Sequence, residues 1–397
     1  MGLSRGLHWI TSGRFLYNRR LALILWFGLS LLAVLLTNYW HNENNYIIFK
    51  QVYWHAIQHQ NLYAEYSKEY EDVNLYGPLF SIVIAPFALL PNLLGSTLWV
   101  MCNTLILYIA ISKLPVSKNI QTAIILLSSV EMMNNASWLQ SNALIAACII
   151  LAYVYTRSGK EAWALFFILL ATFIKIYGIV GFAFFFFSKN KARYILWGII
   201  WSGVFFILPA IISSFSFLIQ CYKDWYQALV FKASKNIRTD IGNDFQDISV
   251  MGMIRRIFKW QAFKDTMVLV PALILFAGQY VWVRYFKDVR YQLYLLCSVL
   301  LFTVMFSTGS ESPTYIIAFP AICLWYLLQP KSKGATAFFI FALLVTCFSY
   351  SDIFPEFVRT KIVRPYSLKA LPAAITWLII IYQIYTKQFL KAIPLAR

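Results

Sequence analysis

Apolar runs free of any charge recur along the chain at close to the length of one bilayer crossing: 21–37, 93–111 and 194–217. About 20 residues of helix cover the roughly 30 Å of hydrocarbon in a membrane. Shorter apolar segments follow at close intervals. The pattern predicts about twelve spanning helices, near 21–40, 93–112, 120–136, 142–156, 162–174, 176–187, 194–217, 267–285, 291–308, 315–329, 335–350 and 371–386. The two flanking Lys175 are short for a bilayer, and short helices thin the membrane locally or border a cavity. Three stretches, 41–78, 218–266 and 351–370, are long and polar. The first alternates polar with aromatic residues and sets Ile47, Ile48, Val52 and Ile57 at the spacing of a surface helix. The second has Trp225 and Tyr226 near a predicted helical start and the amphipathic ISVMGMIRRIFKW near its end. The expected fold class is all-α: one integral-membrane helix bundle over 1–397, with juxtamembrane helices in its loops (41–92, 218–266, 351–370).

Composition agrees. Of 397 residues, 60% are apolar and 18% aromatic, which excludes a soluble protein with a large core. Arg5, Arg14, Arg19 and Arg20 lead directly into a full-length apolar run with no small-residue cleavage site, so the first segment reads as an uncleaved anchor. Six scattered cysteines show no paired spacing and predict neither a disulfide framework nor a metal site. A net charge of +18 suggests nucleic acid until the charges are placed. Basic loops stay in the cytoplasm. That assigns Lys113, Lys118, Arg157, Lys160, Lys189 to Arg193, Arg284 to Arg290, Lys331, Lys333 and both termini to one face, with only Glu161 and Asp288 as acids there. The basic surplus is then a topology signal, and no nucleic-acid partner is expected. The three polar loops fall on the non-cytoplasmic face of a cell membrane, a bacterial inner membrane on this reading.

Parity has a further consequence. The chain leaves the first span on the outer face and is inside again at Lys113, so it crosses an odd number of times between them. The run 93–111 supplies one crossing and leaves 79–90, twelve residues containing Pro86 and followed by Pro91-Asn92. At 1.5 Å per residue this piece reaches about 18 Å. It is therefore expected to lie in or dip into the outer leaflet rather than span it.

The order of several short motifs carries a resemblance. After one span comes an outer loop ending in Tyr76-Gly77-Pro78-Leu79, then APFALLP (85–91), then Leu98-Trp99 with Asn103 inside the next span. Further on come QSN at 140–142, FIKIYG at 173–178, ISVMGMIRR and SPTYIIAFPAI. This set, in order over roughly 40–325, resembles glycosyltransferase family 87, with its Gly-Gln-x-Asn stretch, Lys-x-Tyr turn and Ser-x-x-Gly-x-x-Arg segment. The resemblance implies a multispanning C-superfamily enzyme, similar to polyprenyl-phosphate-mannose-dependent mannosyltransferases. Such enzymes move a hexose from a polyprenyl-phosphate donor to a hydroxyl of a glycan or glycolipid, with inversion. No nucleotide-binding glycine loop is needed for a lipid donor, and none is present.

That chemistry requires a carboxylate to take the acceptor's proton and fixed cations to steady the departing phosphate. The family's aspartate at the start of the first outer loop is replaced here, in Asn44-Asn45-Tyr46, and an amide cannot accept the proton. Asp72, fixed by the turn that follows it, and Glu43 are the substitutes, with Glu131 third. Asp72 and Glu43 each also read as an ordinary solvated or ion-paired acid, whereas an acid at membrane depth such as Glu131 usually has a task or a partner. For the donor phosphate the candidates are Lys175, set between apolar runs, and Arg255 and Arg256. Snorkelling and attraction to anionic headgroups are the plain alternatives. Asn45, Tyr46, Tyr76, Gln140, Asn142 and Tyr177 are expected to bind substrate, although helix capping is the commoner use of such amides. His55 and His59 stand four apart, but an exposed amphipathic face explains them better than a metal. No cofactor is predicted, and the sequence gives no support for Mg²⁺. Two other classes remain open: a transporter or flippase for an amphiphilic or anionic solute, and a surface-polysaccharide polymerase or ligase.

Overall fold

The computed structural model describes residues 14–237, 245–260 and 263–392, and among these no strand occurs. Helix occupies all twelve segments picked out by the apolar pattern. Three helices are long and apolar enough to cross a membrane: Arg19–Tyr39, Asn92–Ser112 and the run Lys191–Ile211. Shorter apolar helices make up the rest of the bundle.

Burial follows the logic of a bundle in lipid. The helix Arg19–Tyr39 starts at Asn18, whose side chain accepts from the Leu21 N–H. It buries Ala22, Trp26, Ser30, Ala33, Val34 and Thr37, largely small residues at helical spacing, and turns Ile24, Leu32, Leu35 and Leu36 outward. Small residues let helix backbones approach where lipid removes the hydrophobic drive. Trp26 completes the contact by donating its indole N–H to the Thr104 carbonyl at 3.0 Å. Asn142–Arg157, Val289–Met305 and Tyr315–Leu328 are buried nearly all round and form the centre. Lys191–Ile207, by contrast, buries only Tyr194 and Phe205 and lies at the rim.

The segment 79–90 forms a separate nine-residue helix, Phe80–Ala88, ended by the Leu90-Pro91 turn before Asn92–Ser112 begins. At 1.5 Å per residue it is about 13 Å long, too short to cross. The segment 120–136 divides at Ser128 into Lys118–Leu127 and Ser129–Ser137. There the Ser129 hydroxyl donates back to the Ile125 carbonyl at 2.9 Å, a usual cause of helix bending.

Two expectations need correction. The run 194–217 is not one helix. It stops at Ile211, bends, and restarts as Phe215–Ile237, with the Ser214 hydroxyl accepting from the Phe217 N–H. Trp225 and Tyr226 therefore sit mid-helix, and uniform apolarity concealed the break. His55, expected on an exposed face, is buried and lies 3.1 Å from Glu69. The helix Asn44–Ile57 is rotated so that Tyr46, Phe49, Val52 and Ala56 face inward while Ile57 is exposed.

Candidate functional site

The site grows from one reversal of the chain. Glu161–Ile174 ends at Lys175, which is extended, and the 3-10 helix Ile176–Phe187 runs back. Gly178 permits the tight turn: a β-carbon there would lie 2.3 Å from the Thr172 nitrogen. Onto this reversal docks the Tyr76-Gly77-Pro78 turn. The Gly77 N–H donates to the Ile174 carbonyl at 2.9 Å, and any β-carbon at Gly77 would lie 2.2 Å from the Phe173 carbonyl oxygen. From the other side the Trp225 indole donates to the Leu75 carbonyl at 3.0 Å. The Tyr76 and Tyr177 rings consequently stand 5.6 and 4.9 Å from the Lys175 ammonium.

A cavity of about 520 Å³ opens here. Among the expected residues, Asn45, Asp72, Tyr76, Gln140, Lys175 and Tyr177 line it. Asn142 stands behind the wall and accepts from Lys175 Nζ at 2.9 Å. Lys175 belongs to neither flanking apolar helix. Burial pushes its pKa down to about 8, with the negative charge of Glu311 opposing the fall. It makes no ion pair among the described residues.

Asp72 has a left-handed backbone (φ 70°) and accepts from its neighbour's Val73 N–H at 2.9 Å and from Lys232 Nζ at 3.1 Å. About half of its side chain is exposed (51%). It also borders a second hollow of about 280 Å³, shared with Lys232 and lined by Asn61, Glu65, Asp224 and Gln227. A double hydrogen bond joins its surroundings to Asn45: the Asn44 side chain donates to the Glu71 carbonyl and accepts from the Glu71 N–H, both at 2.8 Å.

Other expected residues lie elsewhere. Glu43 precedes the helix Asn44–Ile57 and does not line the cavity. Tyr46 is fully buried, donating its hydroxyl to the Phe87 carbonyl at 2.8 Å against Gly95. Arg255 is buried between Asp247 and Asp265, its guanidinium paired with both. The Ser-x-x-Gly-x-x-Arg segment is thus a brace. Ser249 caps the helix Val250–Phe258, and Gly252 leaves room for Asp247, whose carbonyl oxygen would lie 2.0 Å from a β-carbon. Arg256 bonds to the Ser367 hydroxyl and the Gln246 carbonyl. Neither arginine lines the cavity. Glu131 pairs with Lys369 at 2.9 Å, both fully buried.

Sequence reasoning missed Glu71, Lys232, Gln246 and Glu311, all lining the cavity. Glu311 stands out. Its two carboxylate oxygens accept from the Gln140 and Gln246 side-chain amides, each at 2.8 Å. A lone acid in STGSESPTY, between two apolar runs, was the available signal.

The profile of glycosyltransferase family 87 matches residues 74–308, more than half of the chain, opening just before Tyr76 and closing just before Glu311. No curated protein matches the sequence. The all-helical bundle, its apolar helices and this match agree, and the chain belongs to glycosyltransferase family 87, a membrane glycosyltransferase.

Proposed function

We propose that the protein moves a hexose, mannose by the family resemblance, from polyprenyl phosphate to a hydroxyl of a glycan or glycolipid, with inversion. The observation that carries this reading is Lys175. An ammonium has three N–H donors, Lys175 uses one on Asn142, and it lines the cavity with no carboxylate bound to it among the described residues. Its other N–H groups suit phosphate oxygens, and Tyr76 and Tyr177 offer faces for a sugar.

In the step itself the acceptor oxygen attacks the anomeric carbon from the face opposite the phosphate. A new C–O bond forms as the sugar–phosphate C–O bond breaks. The bonding pair leaves with polyprenyl phosphate, steadied by Lys175. The acceptor's proton passes to Asp72, the group shared by the large cavity and the smaller hollow. The acceptor approaches through that hollow, whose amides and carboxylates suit hydroxyls.

The site faces the non-cytoplasmic side in this reading, with both termini in the cytoplasm. In support, Arg157 and Lys189 lie at the end of the bundle away from the site. Arg157 closes the helix that Asn142 opens, and Lys189 approaches Gly159.

The test is transfer by purified protein from short-chain polyprenyl-phosphate mannose, glucose and arabinose to membrane glycans. Asp72→Asn lowers kcat by about 10²- to 10⁴-fold, the usual worth of a general base, and Glu43→Gln stays near wild type. Transfer unaffected by Asp72→Asn refutes the base. No transfer from any donor refutes the lipid-linked reading.

A further inference from the structure

The largest unexplained feature of the cavity is a directed chain of side chains joining its cation to a carboxylate. Lys175 can only donate, so Asn142 must turn its Oδ1 to Lys175 Nζ (2.9 Å) and its Nδ2 to Gln140 Oε1 (2.7 Å). Gln140 must then present Nε2 to Glu311 Oε2 (2.8 Å). From the opposite side Gln246 Nε2 reaches Glu311 Oε1 (2.8 Å). Each amide orientation follows from the one before, since a flip at any point would set donor against donor.

The arrangement leaves Glu311 in an unusual state. It lines the cavity, makes no ion pair among the described residues, and takes one neutral donor on each oxygen. A carboxylate offers about four lone-pair positions. The two glutamine amides fill two. In the capping box of this turn the Glu311 side chain also accepts from the Thr314 N–H, while the Glu311 N–H donates to the Thr314 hydroxyl at 3.1 Å. The acceptor position left on a carboxylate so fixed matches one hydroxyl of a pyranose ring. Trp138, Tyr76 and Tyr177 line the same space and can cover the ring's apolar faces.

We infer that Glu311 holds one ring hydroxyl of the donor sugar while Lys175 holds its phosphate, with the Asn142–Gln140 relay setting the distance between the two grips. Glu311 is then the residue that selects the sugar. This rests on the lipid-linked donor reading above, and the test separates the two. The donors are short-chain polyprenyl-phosphate mannose and its 2-, 3- and 4-deoxy analogues, each tried with wild type and Glu311→Gln. In the wild type, loss of one of these hydroxyls lowers donor kcat/KM tenfold or more. In Glu311→Gln the same loss shrinks to threefold or less, because the group that read the hydroxyl has already been weakened. Binding of sugar-free polyprenyl phosphate stays within twofold of wild type in Glu311→Gln, and weakens in Lys175→Met. Equal deoxy penalties in wild type and variant mean that Glu311 merely supports the fold, and overturn the inference while leaving the donor reading intact. A wild type that uses none of the lipid donors overturns both. If Glu311→Gln does not fold, Glu311→Asp, which keeps the charge but withdraws it by one methylene, gives the same cycle with the same criteria.

Discussion

Replacing Lys175 with methionine removes a cation and little else, because the apolar stem of the side chain keeps a comparable volume. The amine it removes lines the cavity and carries no counter-ion among the described residues. Two losses follow. Asn142 Oδ1 is left without its donor, and the donor phosphate without its cation. Truncating one partner of a buried, hydrogen-bonded charge pair costs about 2–5 kcal/mol. At 1.4 kcal/mol per decade this is about a 30- to 4,000-fold fall in donor kcat/KM. The acceptor's KM should move far less, since the smaller hollow shares Asp72 and Lys232 with the cavity but not Lys175. Lys175→Arg separates charge from geometry. With a pKa near 8, Lys175 is protonated below that pH and neutral above it. Donor kcat/KM in the wild type therefore declines above about pH 8, and this limb is missing in Lys175→Arg, whose guanidinium stays charged. The assay is initial-rate transfer from radiolabelled polyprenyl-phosphate mannose in detergent between pH 6 and 10. A methionine variant with wild-type donor kcat/KM, or an alkaline limb that survives in the arginine variant, refutes the assignment.

Asn45→Asp, added to Asp72→Asn, returns an acid to the neighbouring wall and should recover at least tenfold of the lost rate in the same assay; no recovery means that the two positions do not serve one reacting atom. Gly77→Ala sets a methyl 2.2 Å from the Phe173 carbonyl oxygen. It should cost about 1–3 kcal/mol of stability and raise donor KM as Tyr76 shifts from Lys175, and an unchanged melting curve and KM would contradict the docking described. Lys369→Met strands the buried Glu131 carboxylate, at about 3–5 kcal/mol, while Lys369→Met with Glu131→Gln recovers most of it; thermal melts in detergent measure both. A single cysteine placed at Glu65, with the native six replaced, should react with an impermeant maleimide in intact cells, and labelling only after lysis would reverse the proposed sidedness.

The apolar period disclosed where helices lie, because lipid-facing and core-facing residues are both apolar and the signal is strong along the whole segment. It disclosed less about where they break. Ile211 to Phe215 is as apolar as its neighbours, and only Ser213 and Ser214 mark the bend. At the site, Asp72, Tyr76, Gln140, Lys175 and Tyr177 were legible because each sits in a turn or beside a span, where a polar residue is conspicuous. Arg255 and Arg256 were conspicuous for the same reason, yet the acids that bind Arg255, Asp247 and Asp265, lie on separate turns outside its helix. The Glu131–Lys369 pair joins residues far apart in the chain, and no local pattern announces it. Basic side chains in a loop look alike in sequence; which of them lacks a partner is decided only by the fold.

Asn45, where the family resemblance leads to the expectation of an aspartate, takes on a different meaning once the loop is folded. Asn44 and Glu71 are tied by two hydrogen bonds of 2.8 Å, one in each direction, so the residues that follow them, Asn45 and Asp72, reach the same cavity. Asn45 itself is held by its amide on the Trp138 carbonyl at 2.9 Å, a contact a carboxylate could not make. Asn45 therefore makes a wall contact, and the acid at this wall is Asp72, across the clasp from it. There Lys232 bonds to one of its oxygens and the Val73 N–H to the other. An acid so held has both oxygens fixed in place at the border of the cavity. The geometry of the pair then rests on the Asn44–Glu71 clasp and on Gly77, which seats the turn against Lys175.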